Sequence, residues 1–279
     1  MGRLEVKRQA REARGEITAE FAQQFETHSD VALTAFLNNR DPQTRTAAAR
    51  LLGKRKVLAS VPDLCIRLKI EKALYVRIAI SDALSSIGAG AIPEMLKYVG
   101  KIGSNQYQEL PSEIFQKWNF PLPRDIIIRS IIRMGIPALG KLNEFLLESA
   151  EPEVSEIIDA IGHISFYSHD QSSFDNLLRI MADYHQNELI VWKVLRALQA
   201  FPNPRTYQVL KHFLLNGAIP QFRWEAARSL GKMTTKTAEE CLAMAKNDSD
   251  EKVRTMVQLS LKHIHKLRRN ELRGCKNEQ

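Results

Sequence analysis

The chain has 279 residues, 44% apolar and 26% charged, the balance of an ordinary soluble fold without a low-complexity tract. Three widely separated cysteines, Cys65, Cys241 and Cys275, form no CxxC pair, which argues against a disulfide framework or a zinc knuckle. No stretch approaches the roughly 18 apolar residues of a membrane span. The net charge of +8 is carried mostly by the ends: residues 1–16 hold five basic and three acidic side chains, and residues 262–279 hold six and two.

The first expected element is a basic capping helix near 4–27, within an N-terminal region 1–29. It lacks the apolar core of a secretory signal, so the chain reads as cytoplasmic. Arg3, Lys7, Arg8, Arg11 and Arg14 would equally suit the cytoplasmic flank of a membrane anchor outside this sequence.

A phrase then recurs: Arg45-Thr-Ala-Ala-Ala-Arg-Leu-Leu-Gly53, a weaker copy from Arg77, and Arg223-Trp-Glu-Ala-Ala-Arg-Ser-Leu-Gly231. Aligning on the arginine places copies at Arg45, Arg77, Arg124, Val154, Val191, Arg223 and Arg254. Each has apolar residues near offsets 3 and 7 from that slot, one face of a helix. Between copies lie second apolar segments at 61–68, 91–99, 136–147, 172–181, 205–215 and 237–245, several of them opened by proline, which suits a first helical turn. Neither helix of a pair buries its apolar face alone, so the pairs must stack. Gly53, Gly88, Gly135 and Gly231 are expected near helix ends, as left-handed caps. A long final helix is expected over 251–270, with a basic tail at 269–279.

The D-x-x-x-R-x-x-A-A-x-x-L-G phrase resembles HEAT repeats, closest to the phycobilisome-lyase type, over residues 30–268. The resemblance implies an all-α, right-handed α-solenoid (an armadillo-like alpha-alpha superhelix) of about seven helix pairs whose second helices line a concave face. It also implies a ladder between turn acids and arginines, of which only Asp41 with Arg45 and Asp250 with Arg254 keep both members.

The step from Arg77 to Arg124 is too long and leaves an insertion at about 101–122 with Tyr107, Phe115, Trp118 and Phe120. Insertions in repeat arrays often lie on the binding face. The alternative is that these aromatics pack on the solenoid itself.

At 100° per residue, offsets 1, 5 and 9 point away from the core positions, into the groove. Those offsets carry Arg50, Lys54, Arg129, Arg133, Trp192, Arg196, Trp224, Arg228 and Lys232, which form the expected partner-binding groove. Tryptophan beside arginine is the composition of interface anchors, and equally of surfaces that stack bases. Trp192 and Trp224 sinking between helices is the competing reading.

No nucleotide-binding, P-loop or metalloprotease motif occurs, and neither His163/His169 nor His263/His265 has the i, i+4 spacing of a shared metal. No catalytic residue, cofactor or metal is therefore expected. The reading is a non-catalytic scaffold or adaptor that binds a protein or peptide. The alternative is a nucleic-acid-binding HEAT-like protein related to alkylpurine DNA glycosylases, similar solenoids with a carboxylate in a basic groove; Asp159, or less readily Asp82, would be that carboxylate.

Overall fold

The structure, a computed structural model, describes residues 3–151 and 153–277, with side chains over 5–151 and 153–270. Among these residues every regular element is helical. In chain order they are α1 (Arg3–Glu12), α2 (Ala19–Gln23), α3 (Asp30–Phe36), α4 (Pro42–Lys54), α5 (Val61–Ile70), α6 (Leu74–Ile87), α7 (Ile92–Leu96) and α8 (Ile126–Ile132). Then follow α9 (Leu139–Glu148), α10 (Glu153–Ser168), α11 (Phe174–Asp183), α12 (Glu188–Ala197), α13 (Pro204–Asn216), α14 (Pro220–Leu230), α15 (Lys236–Met244) and α16 (Glu251–Asn277).

The chain divides into two compact units: residues 1–106 with 123–144, and residues 107–122 with 145–279. In the first, α4, α6 and α8 stack side by side as an inner layer, backed by α3, α5 and α7. In the second, α10, α12, α14 and α16 form the inner layer, and α11, α13 and α15 pack behind the last three. Each unit is thus a run of HEAT-like helix pairs, an α-solenoid in which inner helices pack on their neighbours and, α10 apart, on an outer partner. The expected capping helix is two short ones, α1 and α2, separated by a turn at Gly15 with φ of 90°. The final helix continues through the expected tail to Asn277; Cys275 lies where side chains are outside the described residues.

The recurring arginine closes the turn before its own helix. Arg45 Nη1 donates to Asn39 O and Arg40 O at 2.8 and 2.9 Å. Arg77 reaches Glu71 O, Arg223 reaches Gly217 O, and Arg254 reaches Asp248 O, each six residues back. The ladder of acids differs from the expected one. Asp41 and Asp250 are helix caps, accepting from the N–H groups of Gln43 and Thr44 and of Lys252 and Val253. The arginines pair instead with acids of the following turn: Arg45 with Glu71 at 2.8 and 3.0 Å, and Arg223 with Asp248 at 2.8 and 3.1 Å. A short aspartate that already accepts two backbone N–H groups is held at its own helix start, which leaves the guanidinium to the next turn.

The glycines also differ. Gly88 and Gly135 have positive φ, 91° and 68°. Gly53 lies within α4, and Gly231 has φ of −60°. Their role is close approach of inner helices: a Cβ on Gly53 would stand 2.5 Å from Ala83 Cα, and one on Gly231 would stand 2.5 Å from Ser260 Oγ. Gly162 meets Ala197 in the same way. The glycine at offset 8 therefore receives the small residue at offset 6 of the next inner helix.

Candidate binding face

The inner layer of the first unit carries the offset 5 and 9 residues of α4 and α6 on its surface. Arg50, Lys54, Asp82 and Ser86 are exposed, and Ile78, at offset 1, is 45% exposed. In the third copy the helix starts later: the cap of α8 is Asp125, at offset 1 from Arg124. Beyond the cap the Arg124 register holds. Ser85, at offset 8 of the second copy, donates to Ser130 O, at offset 6 of the third, and Arg129 and Arg133 at offsets 5 and 9 are exposed. Arg133 forms an ion pair with Asp82 of α6. Lys54 pairs with Glu26 at 3.0 Å. The result is an open face that carries Ile78 with four cations, two of which, Lys54 and Arg133, already pair with the carboxylates of Glu26 and Asp82. Asp82 serves that ion pair. Thr46, the remaining offset-1 residue, is buried where the segment after α1 crosses: Tyr75 N donates to Arg14 O and Gln43 Nε2 to Glu16 O.

In the second unit the same face is covered. Trp192 and Trp224 are each 1% exposed, in T-shaped contact at 6.1 Å, Arg196 is 3% exposed and Arg228 is fully buried. As solvent-facing anchors these four are therefore corrected. They do lie on the inner face, but residues 107–122, the body of the insertion, lie over them. Tyr107 packs edge-on against Trp192 at 5.5 Å, with Arg196 over both rings. Lys252 Nζ of α16 donates to Ser112 O and Glu113 Oε1 at 2.6 and 3.0 Å. Phe115 lies over Arg228, ring centre 5.4 Å from Cζ. Trp118 stacks on His263 at 4.1 Å and 3°, with Lys232 over its ring. Phe120 enters beside Gly162, His163 and Phe166 of α10. The segment has no regular secondary structure and is held by its aromatic side chains.

Below it runs a buried ion network. Lys193 bridges Glu156 at 2.7 Å and Asp159 at 3.1 Å, Arg196 joins Asp159 at 2.5 Å, and Arg228 joins Glu225 at 2.9 Å. Burial alone would raise the Asp159 carboxyl; Arg196 and Lys193 outweigh it and hold Asp159 below the usual range. Buried and doubly paired, it is closed off from any substrate as the glycosylase-type carboxylate. Arg228 is lowered as well, but here burial is the cause and prevails over the attraction of Glu225. Lys232 is lowered to about 8, first by burial and then by adjacent Arg228. Glu156, Lys193 and Glu225 were not among the sequence candidates. The signal was present at offset 2, which is charged in the copies at Val154, Val191 and Arg223 but is Ala47, Ala79 and Met256 elsewhere.

Several buried polar atoms here have no hydrogen-bond partner among the described residues: Nη1 and Nη2 of Arg228, Oε2 of Glu225, Nε of Arg196 and Nε1 of Trp192. His265 pairs with Glu239 at 2.8 Å, away from His263 on its stack. Among the described residues no three His, Cys, Asp or Glu side chains converge as a metal site, and no helix is long and apolar enough to cross a membrane. Cys65 is buried, and burial with nearby Glu94 pushes its thiol up to about 12, far from reactive.

No protein-family model matches the sequence, and no curated protein matches it. Among solved structures, an engineered protein is 18% identical over 86% of this chain and 98% of its own, with a TM-score of 0.41. A designed armadillo repeat protein in complex with a (KR)4 peptide is 15% identical over 85% and 100%, TM-score 0.40. The CpcE–CpcF complex of phycocyanin lyase from Nostoc sp. is 18% identical over 85% and 87%, TM-score 0.37. The chain has the HEAT-like repeat fold that its arginine phrase implies, seen directly in the helix pairs and in the turn-closing arginines.

Proposed function

We propose that this protein is a non-catalytic repeat scaffold that binds a protein or peptide on the inner helix face of its first unit. The observation that carries the reading is the bare face of α4, α6 and α8, which exposes Ile78 together with Arg50, Lys54, Arg129 and Arg133. An apolar side chain presented together with cations suits an acidic protein segment: burial of the apolar side chain contributes affinity and the arginines fix orientation with carboxylates. The buried network of the second unit supports the non-catalytic part of the reading, because its carboxylates are paired and covered.

The test is charge reversal on that face. Arg50→Glu with Arg133→Glu should abolish recovery of a cross-linked acidic partner while circular dichroism stays helical. Unchanged recovery would remove the face from the reading. A labelled DNA duplex should show no binding at about 50 mM salt; tight binding that falls steeply as salt rises would replace a protein partner with nucleic acid.

A further inference from the structure

We infer that the inner face of the second unit is a groove for an extended peptide, that residues 107–122 occupy it as a stand-in, and that the true occupant is a partner segment placing a carboxylate on Arg228. The inference rests on the reading that inner helix faces are the binding faces of this protein.

The stand-in has the character of a bound peptide. It lacks regular structure and touches all four inner helices: α12 through Tyr107, α16 through Ser112, Glu113 and Trp118, α14 through Phe115, and α10 through Phe120. Side chains anchor it, four of them aromatic. Extended peptides bind repeat surfaces and grooves in this way, with spaced side chains entering pockets.

The fit is incomplete at one place, and the chemistry of the gap is specific. Arg228 is fully buried, yet only its Nε is engaged, by Glu225 at 2.9 Å. Nη1 and Nη2, the pair of donors that would grip a carboxylate with two parallel hydrogen bonds, have no hydrogen-bond partner among the described residues. The Phe115 ring lies over the guanidinium, with its centre 5.4 Å from the guanidinium carbon, and Tyr107 is near enough to act on its charge. A ring face offers a cation partial attraction and no hydrogen-bond acceptor in the plane. Buried charge without acceptors is costly, so this occupant holds the groove below the affinity the groove can offer.

Position completes the argument. A glutamate side chain carries its carboxyl carbon about as far from Cα as phenylalanine carries its ring centre, so a glutamate in the place of Phe115 would aim its oxygens at the guanidinium, and a small shift of the segment toward Arg228 would close the two hydrogen bonds. The nearby charges are Glu225, which holds Arg228 Nε, against Arg196 and Lys232, whose charges both bear on Arg228, so cations outnumber the anion there. Lys252 already holds Glu113. The flanking stacks on His263 and at Gly162 stay available to aromatic residues. The partner segment is therefore extended, acidic at its centre and aromatic on one side.

The experiment compares two fluorescein-labelled synthetic peptides with the sequence of residues 107–122, one native and one carrying Phe115→Glu. Each is titrated by anisotropy against the full chain with Phe115→Ala and Trp118→Ala, which loosens the stand-in. The acidic peptide should bind at least tenfold more tightly than the native peptide, and Arg228→Gln in the same chain should erase the difference. Equal affinity of the two peptides, or no binding of either, overturns the inference. A second measurement needs no Arg228 variant. Phe115→Glu in the otherwise native chain should slow amide exchange over 107–122 and raise the thermal midpoint, whereas a lowered midpoint overturns the inference. Neither readout involves Arg50 or Arg133, so failure here and failure of the first-unit reading give separate results.

Discussion

The two units use one repeat grammar and finish it differently. In the first, offset 2 is alanine at Ala47 and Ala79, and the offset 5 residues Arg50 and Asp82 stand in solvent. In the second, offset 2 is Glu156, Lys193 and Glu225, offset 5 is Asp159, Arg196 and Arg228, and all six are buried beneath residues 107–122. A charge at offset 5 is thus a surface charge or an interior one according to whether a segment crosses it. The interior set also balances, three anions against three cations, as a buried set must.

The contrast can be broken most forcefully at Lys193. Lys193→Met removes the buried cation shared by Glu156 and Asp159, and should destabilise the second unit by about 3–5 kcal/mol. The corresponding change in the first unit, Ala79→Met, should cost about 1–3 kcal/mol, from overpacking only. Chemical unfolding followed by tryptophan fluorescence reads the second unit, since Trp118, Trp192 and Trp224 all lie within it, and amide exchange over α4 and α6 reads the first. A loss at Lys193 no larger than that at Ala79 would remove the distinction between the two interiors.

Gly162→Val tests whether the covering segment depends on the close approach of α10 and α12. Its Cβ would stand 2.7 Å from Phe120 Cζ and 2.9 Å from Ala197 Cβ. The expected cost is about 1–3 kcal/mol, accompanied by faster amide exchange over 107–122. Unchanged exchange there would show that Phe120 does not anchor the segment.

Acid should act on the first unit through Glu71. Burial alone would raise this carboxyl, but hydrogen bonds from Arg45, Ala73 N–H and Arg67 hold it at about 2. A folded value below the unfolded one means stability that is complete above about pH 4.5 and is lost as pH falls toward 2. Glu71→Gln should therefore flatten the stability profile between pH 4.5 and about 3 in hydrogen-exchange measurements on α4 and α6. An unchanged slope would place the acid sensitivity elsewhere. The smallest effect is expected for Lys232→Met. It removes a partly buried cation at the cost of two ring contacts, so stability at pH 7 should change by less than about 1 kcal/mol. The rise in stability expected in the native chain as pH climbs from about 8 toward the ordinary lysine value should disappear.

Much of this was legible in the chain. The spacing of the arginine phrase gives inner helices at the right places, and counting from the slot puts Trp192, Arg196, Trp224 and Arg228 on the correct face. The Arg124 register holds too, with Arg129 and Arg133 exposed at offsets 5 and 9, although α8 starts only at the Asp125 cap, which local periodicity does not reveal. Gly231 is the C-cap of α14 and Gly53 stands one residue from the end of α4, but neither is left-handed: glycine serves both caps and close contacts, and the partner that decides, Ala83 or Ser260, belongs to the next repeat. The offset 2 charges were visible and were passed over because a charge on a helix is usually solvated.

By itself the sequence determined the repeat, the helix pairs and the direction each side chain faces, because those follow from local periodicity and turn chemistry. Tertiary structure alone decided which part of that face meets water. Burial depends on where a distant segment comes to rest, and residues 107–122 settle on α10, α12, α14 and α16 through aromatic contacts that no local pattern encodes. The same positions are therefore an open surface in one unit and an occupied groove in the other.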